Sequence, residues 1–185
     1  MFLDRDGTIN VEAGYIRQLA DLRLMDGAAD AIRRLRQAGF LAILATNQTG
    51  PARGYYPESW IWQLNARLMS LLHEGGTTLD GLYYCPHLAE GTEPAYSAAC
   101  DCRKPEPAML HWAARDYGID LARSYMVGDK ATDVEVGHNA GTRAVLLTSG
   151  YGEQVLAGTY QDLKRQPDHI APDLAGAADW ILAQD

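Results

Sequence analysis

No apolar run in this chain approaches the ~18 residues that a bilayer crossing needs, and no internal repeat, low-complexity tract or linker interrupts it. Basic residues are the minority: 16 Lys and Arg face 24 Asp and Glu, a formal net charge of −8. A surface of that sign does not coat nucleic acid. It still permits a small anionic substrate, because a few local cations outweigh the global field at short range. Cysteine is nearly absent, and its three copies, Cys85, Cys100 and Cys102, fall within 18 positions of one another. An odd count, with Asp4 arriving too early for an export signal, speaks against a disulfide framework. The expectation is a cytoplasmic, monomeric protein with no nucleic-acid or membrane partner. At 185 residues, with 47% hydrophobic and 22% charged side chains, it is expected to form one globular domain over 1–185.

What is present begins at the first residues. Met1-Phe2-Leu3 is a short apolar run that ends in Asp4-Arg5-Asp6-Gly7-Thr8. If Phe2 and Leu3 close a buried strand, alternation sends Asp4 and Asp6 to one side. Gly7 permits the turn that keeps both at the strand's C-terminal tip. Two carboxylates there can hold a divalent cation, one serving as nucleophile and the other as proton donor.

Further along, apolar runs alternate with helical stripes. Strands are predicted over Phe40–Ala45, Leu82–Cys85, Ser124–Val127 and Arg143–Leu147, with His169-Ile170 as a short edge strand. Val11 to Leu24 reads as a loop overhanging the site. Helical spacing places Ala28, Ala31, Ile32 and Leu35 on one helix and Trp60, Ile61, Leu64, Leu68, Leu71 and Leu72 on a second. Further helices are expected from about Glu106 to Gly118, from the Gly128-Asp129 turn to Gly141, and from Leu174 to Leu182. The fold class is therefore α/β, a doubly wound Rossmann-like parallel sheet of five to six strands with right-handed crossovers.

Ligands of such sheets sit at the C-terminal strand tips. Those tips carry Asp4 and Asp6, then Thr46 and Asn47, then a loop ending in Arg103-Lys104, then Asp129 and Asp133. Asp4 and Asp129 offer carboxylates for Mg²⁺, with Asp133 a further candidate. Thr46, Asn47 and Lys104 offer donors and a cation for a phosphoryl group.

The loop 85–103 holds a second constellation. Cys85-Pro86-His87, twelve residues and Cys100-Asp101-Cys102 make a Cys₃His set for tetrahedral Zn²⁺ with no open position, which is the pattern of a structural site. Because Cys102 directly precedes Arg103-Lys104, the ion would order both cations over the site. His73, His111, His138 and His169 read as surface or core residues.

DRDGT, TNQ, RKP and GDKATD, in this order over positions 4–133, resemble the motifs of the haloacid-dehalogenase-like (HAD) phosphatases. The resemblance implies that Asp4 attacks phosphorus to form an aspartyl-phosphate and that Asp6 moves the protons. It implies Mg²⁺ on the Asp4 carboxylate, the Asp6 backbone carbonyl and Asp129, with Asp133 behind them, and phosphoryl binding by Thr46 and Lys104. The spacing of the motifs leaves no room for a large cap domain, so loops must close the site. CPH…CDCRKP, GYI and NQTGPARGYY narrow the likeness to the branch acting on a heptose 1,7-bisphosphate at C7, in activated-heptose supply. By that likeness Glu12, Ala13, Gly14, Tyr15, Thr46, Asn47, Gln48, Thr49, Arg53 and Arg103 line a sugar-phosphate pocket, and Lys130 lies beside the metal. The histidinol-phosphate phosphatases are the nearest alternative branch; Arg53 and Arg103 suit a second phosphate better than a cationic amine. Pro51 departs from the branched aliphatic residue expected before Arg53. Other readings are a receiver-like phosphorylation switch, a zinc-knuckle nucleic-acid module and a polynucleotide 3′-phosphatase.

Overall fold

A computed structural model describes residues 1–184. Its centre is a sheet of six parallel strands in the order β3-β2-β1-β4-β5-β6. These are β1 (Phe2–Leu3), β2 (Ile43–Asn47), β3 (Gly81–Cys85), β4 (Tyr125–Gly128), β5 (Arg143–Leu147) and β6 (His169–Ala171). Helices α1 (Ala28–Gln37), α2 (Ser59–Glu74), α3 (Ala108–Tyr117), α4 (Ala131–Ala140), α5 (Gly152–Leu156) and α6 (Leu174–Leu182) cover its faces. The sheet is six-stranded, at the upper end of expectation, and doubly wound.

Two residues of β1 show how the layers form. Phe2 and Leu3 are both fully buried, yet alternation sends them into different cores. Leu3 packs with Ile32 and Leu35 of α1, Leu64 and Leu68 of α2, and Ile181 of α6. Phe2 packs with Met109 and Ala113 of α3 and with Val136 of α4. A strand covered on both faces has no polar positions to spare, which is why these strands read as continuous apolar runs.

Several boundaries differ from the sequence expectation. β2 begins at Ile43 rather than Phe40, because the Ala42 N–H is taken by the Asp80 carboxylate at 2.8 Å. It also extends through Thr46 and Asn47, expected as a turn, which stay in register opposite Tyr84 and Cys85. β4 starts one residue late, since Ser124 closes the preceding 3₁₀ turn through its N–H to the Leu121 carbonyl. α3 starts at Ala108 because Pro105 and Pro107 delay it. A 3₁₀ turn at Leu19–Asp21 and the short α5 are additions: neither offers enough turns for a hydrophobic stripe to register. Among the described residues no helix is long and apolar enough to cross a membrane.

The strand order reverses between β1 and β4, which pair in parallel through Leu3 and Val127. The crevice outside such a switch point is where an open α/β sheet binds its ligand.

Candidate active site

Asp4 follows β1 directly, and its N–H continues the ladder to the Val127 carbonyl at 3.0 Å. Asp129 follows β4 directly. Their carboxylates and that of Asp133, on the first turn of α4, come within 4.8 Å of one another, and all three residues are buried. Glycine makes this crowding possible. Gly7 (φ +80°) and Gly150 (φ +57°) adopt left-handed backbone, and a Cβ on either would collide with the Asp129 carboxylate.

Two ammonium groups hold the cluster together. Lys104 Nζ lies 2.9 Å from Asp4 Oδ1 and 2.6 Å from Asp133 Oδ1, and donates to the Ala45 carbonyl at 2.8 Å. Lys130 Nζ lies 3.5 Å from Asp4, 3.3 Å from Asp129 and 3.3 Å from Glu12. Burial alone would raise the Asp4 pKa, but Lys104 and Lys130 outweigh it and hold the carboxyl well below the usual range. Asp4 is therefore an unprotonated carboxylate, as a nucleophile must be. Asp129 goes the other way: burial, with Asp4 and Asp133 close by, pushes it up to about 7 against the pull of Lys130.

Around Lys104 and Lys130 there are four carboxylates, Asp4, Asp129, Asp133 and Glu12, for two ammoniums. That leaves the charge of one divalent cation unmatched. Asp129 Oδ1 is buried and accepts no hydrogen bond, with the Lys130 ammonium as its ion-pair partner at 3.3 Å, and all-oxygen donors at this spacing suit Mg²⁺. The donor set fits the ion. Asp133 is already engaged by Lys104 and, at 3.0 Å, by the Lys130 N–H.

Asp6 lies apart from that cluster. Arg5 donates to both of its oxygens at 3.0–3.2 Å, Asn10 to one at 2.9 Å and Gln48 to the other at 2.8 Å. Arg5, almost fully buried, also reaches Asn65 of α2 at 3.4 Å. These partners fix the orientation of Asp6. Arg5, Asn10 and Asn65 were not singled out from the sequence; the placing of Arg5 between two aspartates is a visible sign for that residue alone.

The strand tips enclose a cavity of about 290 Å³. It is lined by Asp4, Asp6, Glu12, Gly14 and Tyr15, then by Asn47, Gln48, Thr49 and Arg53, and by Arg103, Lys104 and Lys130. Pro51 does not divert Arg53 from it. Two expected residues, Ala13 and Thr46, do not line the cavity. Ala13 is exposed. Thr46 is 1% exposed, and its hydroxyl accepts from Nε2 of Gln48, a lining residue, at 3.1 Å. Thr132, Tyr151, Tyr160 and Gln161 line it unforeseen. The last three come from a tail whose short elements carry no motif.

In the loop 85–103 the four expected side chains do meet. Cys85 Sγ is 3.0 Å from Cys102, 3.5 Å from Cys100 and 3.7 Å from His87 Nδ1; Cys102 is 3.4 Å from Cys100 and 3.5 Å from His87. A tetrahedron of ~2.3 Å Zn–S bonds has edges of roughly 3.8 Å. Two of the three sulfur–sulfur edges match that size within a few tenths of an ångström, and the third, Cys85–Cys102, is about 0.8 Å shorter, so those two sulfurs must part slightly to admit the ion. Burial raises the pKa values of the Cys85 and Cys102 thiols, Cys102 to about 11. Such thiols release their protons when a cation arrives. The loop grips the site at two points. Arg103 Nη1 donates to the His87 carbonyl at 3.3 Å. The Thr92 and Glu93 N–H groups donate to the Ala52 carbonyl, at 2.7 and 3.1 Å, beside Arg53.

Known proteins resemble this chain in sequence and fold. A family profile described as HAD-hydrolase-like matches residues 101–177. The D-glycero-D-manno-heptose-1,7-bisphosphate 7-phosphatase of Thermosynechococcus vestitus is 48% identical over 98% of this chain and 94% of its own. The D-glycero-beta-D-manno-heptose-1,7-bisphosphate 7-phosphatase of Escherichia coli K12 is 41% identical over 98% of this chain and 87% of its own. Among solved structures, the D,D-heptose 1,7-bisphosphate phosphatase of B. bronchiseptica, complexed with magnesium and phosphate, superposes with a TM-score of 0.87. That protein is 31% identical, with 100% of this chain and 98% of its own covered. With identities of this size over nearly its whole length, the chain belongs to the HAD-like phosphatase family that includes these heptose bisphosphate phosphatases.

Proposed function

We propose that this protein removes the C7 phosphate of D-glycero-D-manno-heptose 1,7-bisphosphate through an aspartyl-phosphate on Asp4, in the cytoplasmic supply of activated heptose. The observation that carries this reading is the meeting of Asp4, Asp6, Lys104 and Lys130 with two arginines, Arg53 and Arg103, in one cavity. Lys104 and Lys130 are matched by the carboxylate cluster, whereas Arg53 and Arg103 lie outside it, and a second phosphate on the substrate accounts for these two.

In the proposed reaction Asp4 attacks phosphorus, and Lys104 and Lys130 compensate the charge gathering on the equatorial oxygens. Asp6, aimed by Arg5, Asn10 and Gln48, protonates the sugar oxygen as the P–O bond breaks. It then takes a proton from the water that hydrolyses the acyl phosphate. Mg²⁺, held by Asp4, the Asp6 backbone carbonyl and Asp129, would supply further charge neutralisation to the phosphoryl oxygens. Asp133 keeps Lys104 and the Lys130 amide in position. Zn²⁺ on Cys85, His87, Cys100 and Cys102 would serve the fold of the loop alone, and free thiols around it suit a reducing compartment. The protein would act as a single domain and as a monomer on a small sugar phosphate, without nucleic-acid or membrane partners.

The deciding measurement is phosphate release, with and without Mg²⁺, from both heptose bisphosphate anomers, histidinol phosphate and a 3′-phosphorylated oligonucleotide. A heptose bisphosphate anomer should be cleaved fastest and only with Mg²⁺. Faster release from histidinol phosphate or the oligonucleotide would overturn the substrate assignment.

A further inference from the structure

The cavity has two chemically different sides. Arg53, Arg103, Lys104 and Lys130 supply charge, whereas the segment following α5 supplies Tyr160 and Gln161, an aromatic ring and an amide. Charge recognises the phosphates; it does not read what lies between them. We propose that Tyr160 and Gln161 form the sugar-recognising wall of this site and set its selectivity for a polyhydroxylated substrate. The proposal rests on the phosphatase reading above and deepens it.

Three observations carry the inference. First, Tyr160 remains 42% exposed while lining the cavity, so its ring is not consumed by the core. It is nevertheless held, stacked on Tyr151 with centroids 4.1 Å apart and planes 8° from parallel. Tyr151 in turn is tied to the reacting groups. Its N–H donates to Asp129 Oδ2 at 2.8 Å, and the Lys130 ammonium lies 5.5 Å from its ring centroid. The position of Tyr160 is thereby set relative to the carboxylate cluster. A rigid ring at a cavity edge offers a platform for the C–H face of a sugar.

Second, Gln161 Oε1 is buried without a hydrogen-bond donor. An unpaired buried acceptor is costly in the free protein, and a small turn of the amide presents it to a sugar hydroxyl. Third, the segment is fastened at both ends. The Thr159 N–H donates to the Gln154 carbonyl at 2.9 Å, and the Asp168 N–H to the Ala144 carbonyl at 2.8 Å. Between these anchors the two side chains face the cavity.

The test is steady-state kinetics of Tyr160→Ala, Tyr160→Phe and Gln161→Leu with the heptose bisphosphate, alongside the inhibition constant for inorganic phosphate. Phosphate fills the charged half alone and reports any general damage to the site. Tyr160→Ala and Gln161→Leu should each raise KM about tenfold, the loss of one good contact. Their kcat should stay within about twofold, and the phosphate inhibition constant should not move. Tyr160→Phe keeps the ring and should behave as wild type. An unchanged KM in both Tyr160→Ala and Gln161→Leu overturns the wall, and so does a phosphate constant rising in step with KM. If the wild type ignores heptose bisphosphates, the substrate reading fails separately, and the same comparison is made on whichever sugar phosphate it cleaves. Cleavage of no sugar phosphate at all overturns both.

Discussion

Asn47 and Lys104, 57 positions apart, are joined by a reciprocal pair of hydrogen bonds: Asn47 Nδ2 donates to the Lys104 carbonyl at 3.1 Å, and the Lys104 N–H donates to Asn47 Oδ1 at 3.0 Å. The last residue of β2 thereby fixes the backbone from which the Lys104 ammonium reaches Asp4. Asn47→Ala should lower kcat/KM by about 10- to 100-fold, since a misplaced cation no longer meets the developing charge. Zinc content should be unaffected. A wild-type rate in Asn47→Ala would show that the cysteine loop positions Lys104 without help from β2.

Replacing Asp4 by Asn keeps the shape and removes the nucleophile. Lys104 retains Asp133 as an ion-pair partner at 2.6 Å, so the cluster should not collapse. Turnover should fall on the order of 10⁴-fold or more, while the melting temperature shifts by a few degrees only. Acid-quenched labelling should trap phosphate on the wild-type protein and none on Asp4→Asn. Residual turnover within about tenfold of wild type would remove Asp4 from the nucleophile's role.

The carboxylates were legible from the sequence because each follows an apolar run, and parallel strands must end on the same edge. The zinc-type cluster was legible because cysteine is rare and its three copies adjoin one histidine. Thr46 stands at the C-terminal end of β2 as expected, but its near-complete burial was not legible, because sequence does not say how far a strand tip stays in the ladder, and pairing with Tyr84 keeps Thr46 there. Arg5 and Asn65 were missed because their meeting spans 60 positions and depends on how α2 crosses the sheet. Tyr151, Tyr160 and Gln161 were missed for another reason. α5 is five residues long, so no periodicity marks the segment that brings them in.

Cys102 sits beside two of the cavity's cations in sequence, and its sulfur is 3.0 Å from Cys85. Cys102→Ser should leave less than one zinc per chain in a metal assay. The loop then loses its fixed point, so KM should rise about tenfold or more while kcat falls less, and the melting temperature should drop. A variant with full zinc and wild-type KM would show that the loop is ordered by its backbone hydrogen bonds alone.

Asp80 joins three pieces of the fold away from the site. Its Oδ1 and Oδ2 accept from Arg36 of α1 at 2.8 and 3.1 Å, and Oδ2 also accepts from the Ala42 N–H at 2.8 Å. Burial opposes ionisation, but the Arg36 and Ala42 hydrogen bonds prevail and lower the Asp80 pKa. A carboxyl whose pKa is lower folded than unfolded stabilises the protein above the unfolded value of about 3.9. That stabilisation is lost as pH falls through the folded value. Asp80→Asn should therefore melt about 2–4 °C below wild type at pH 7. The gap should narrow as the pH falls below about 4, because the wild-type carboxyl is then neutralised as well. Urea unfolding of both proteins from pH 7 to pH 3 makes the comparison, and a gap that stays constant over that range would exclude the charge of Asp80 as its source.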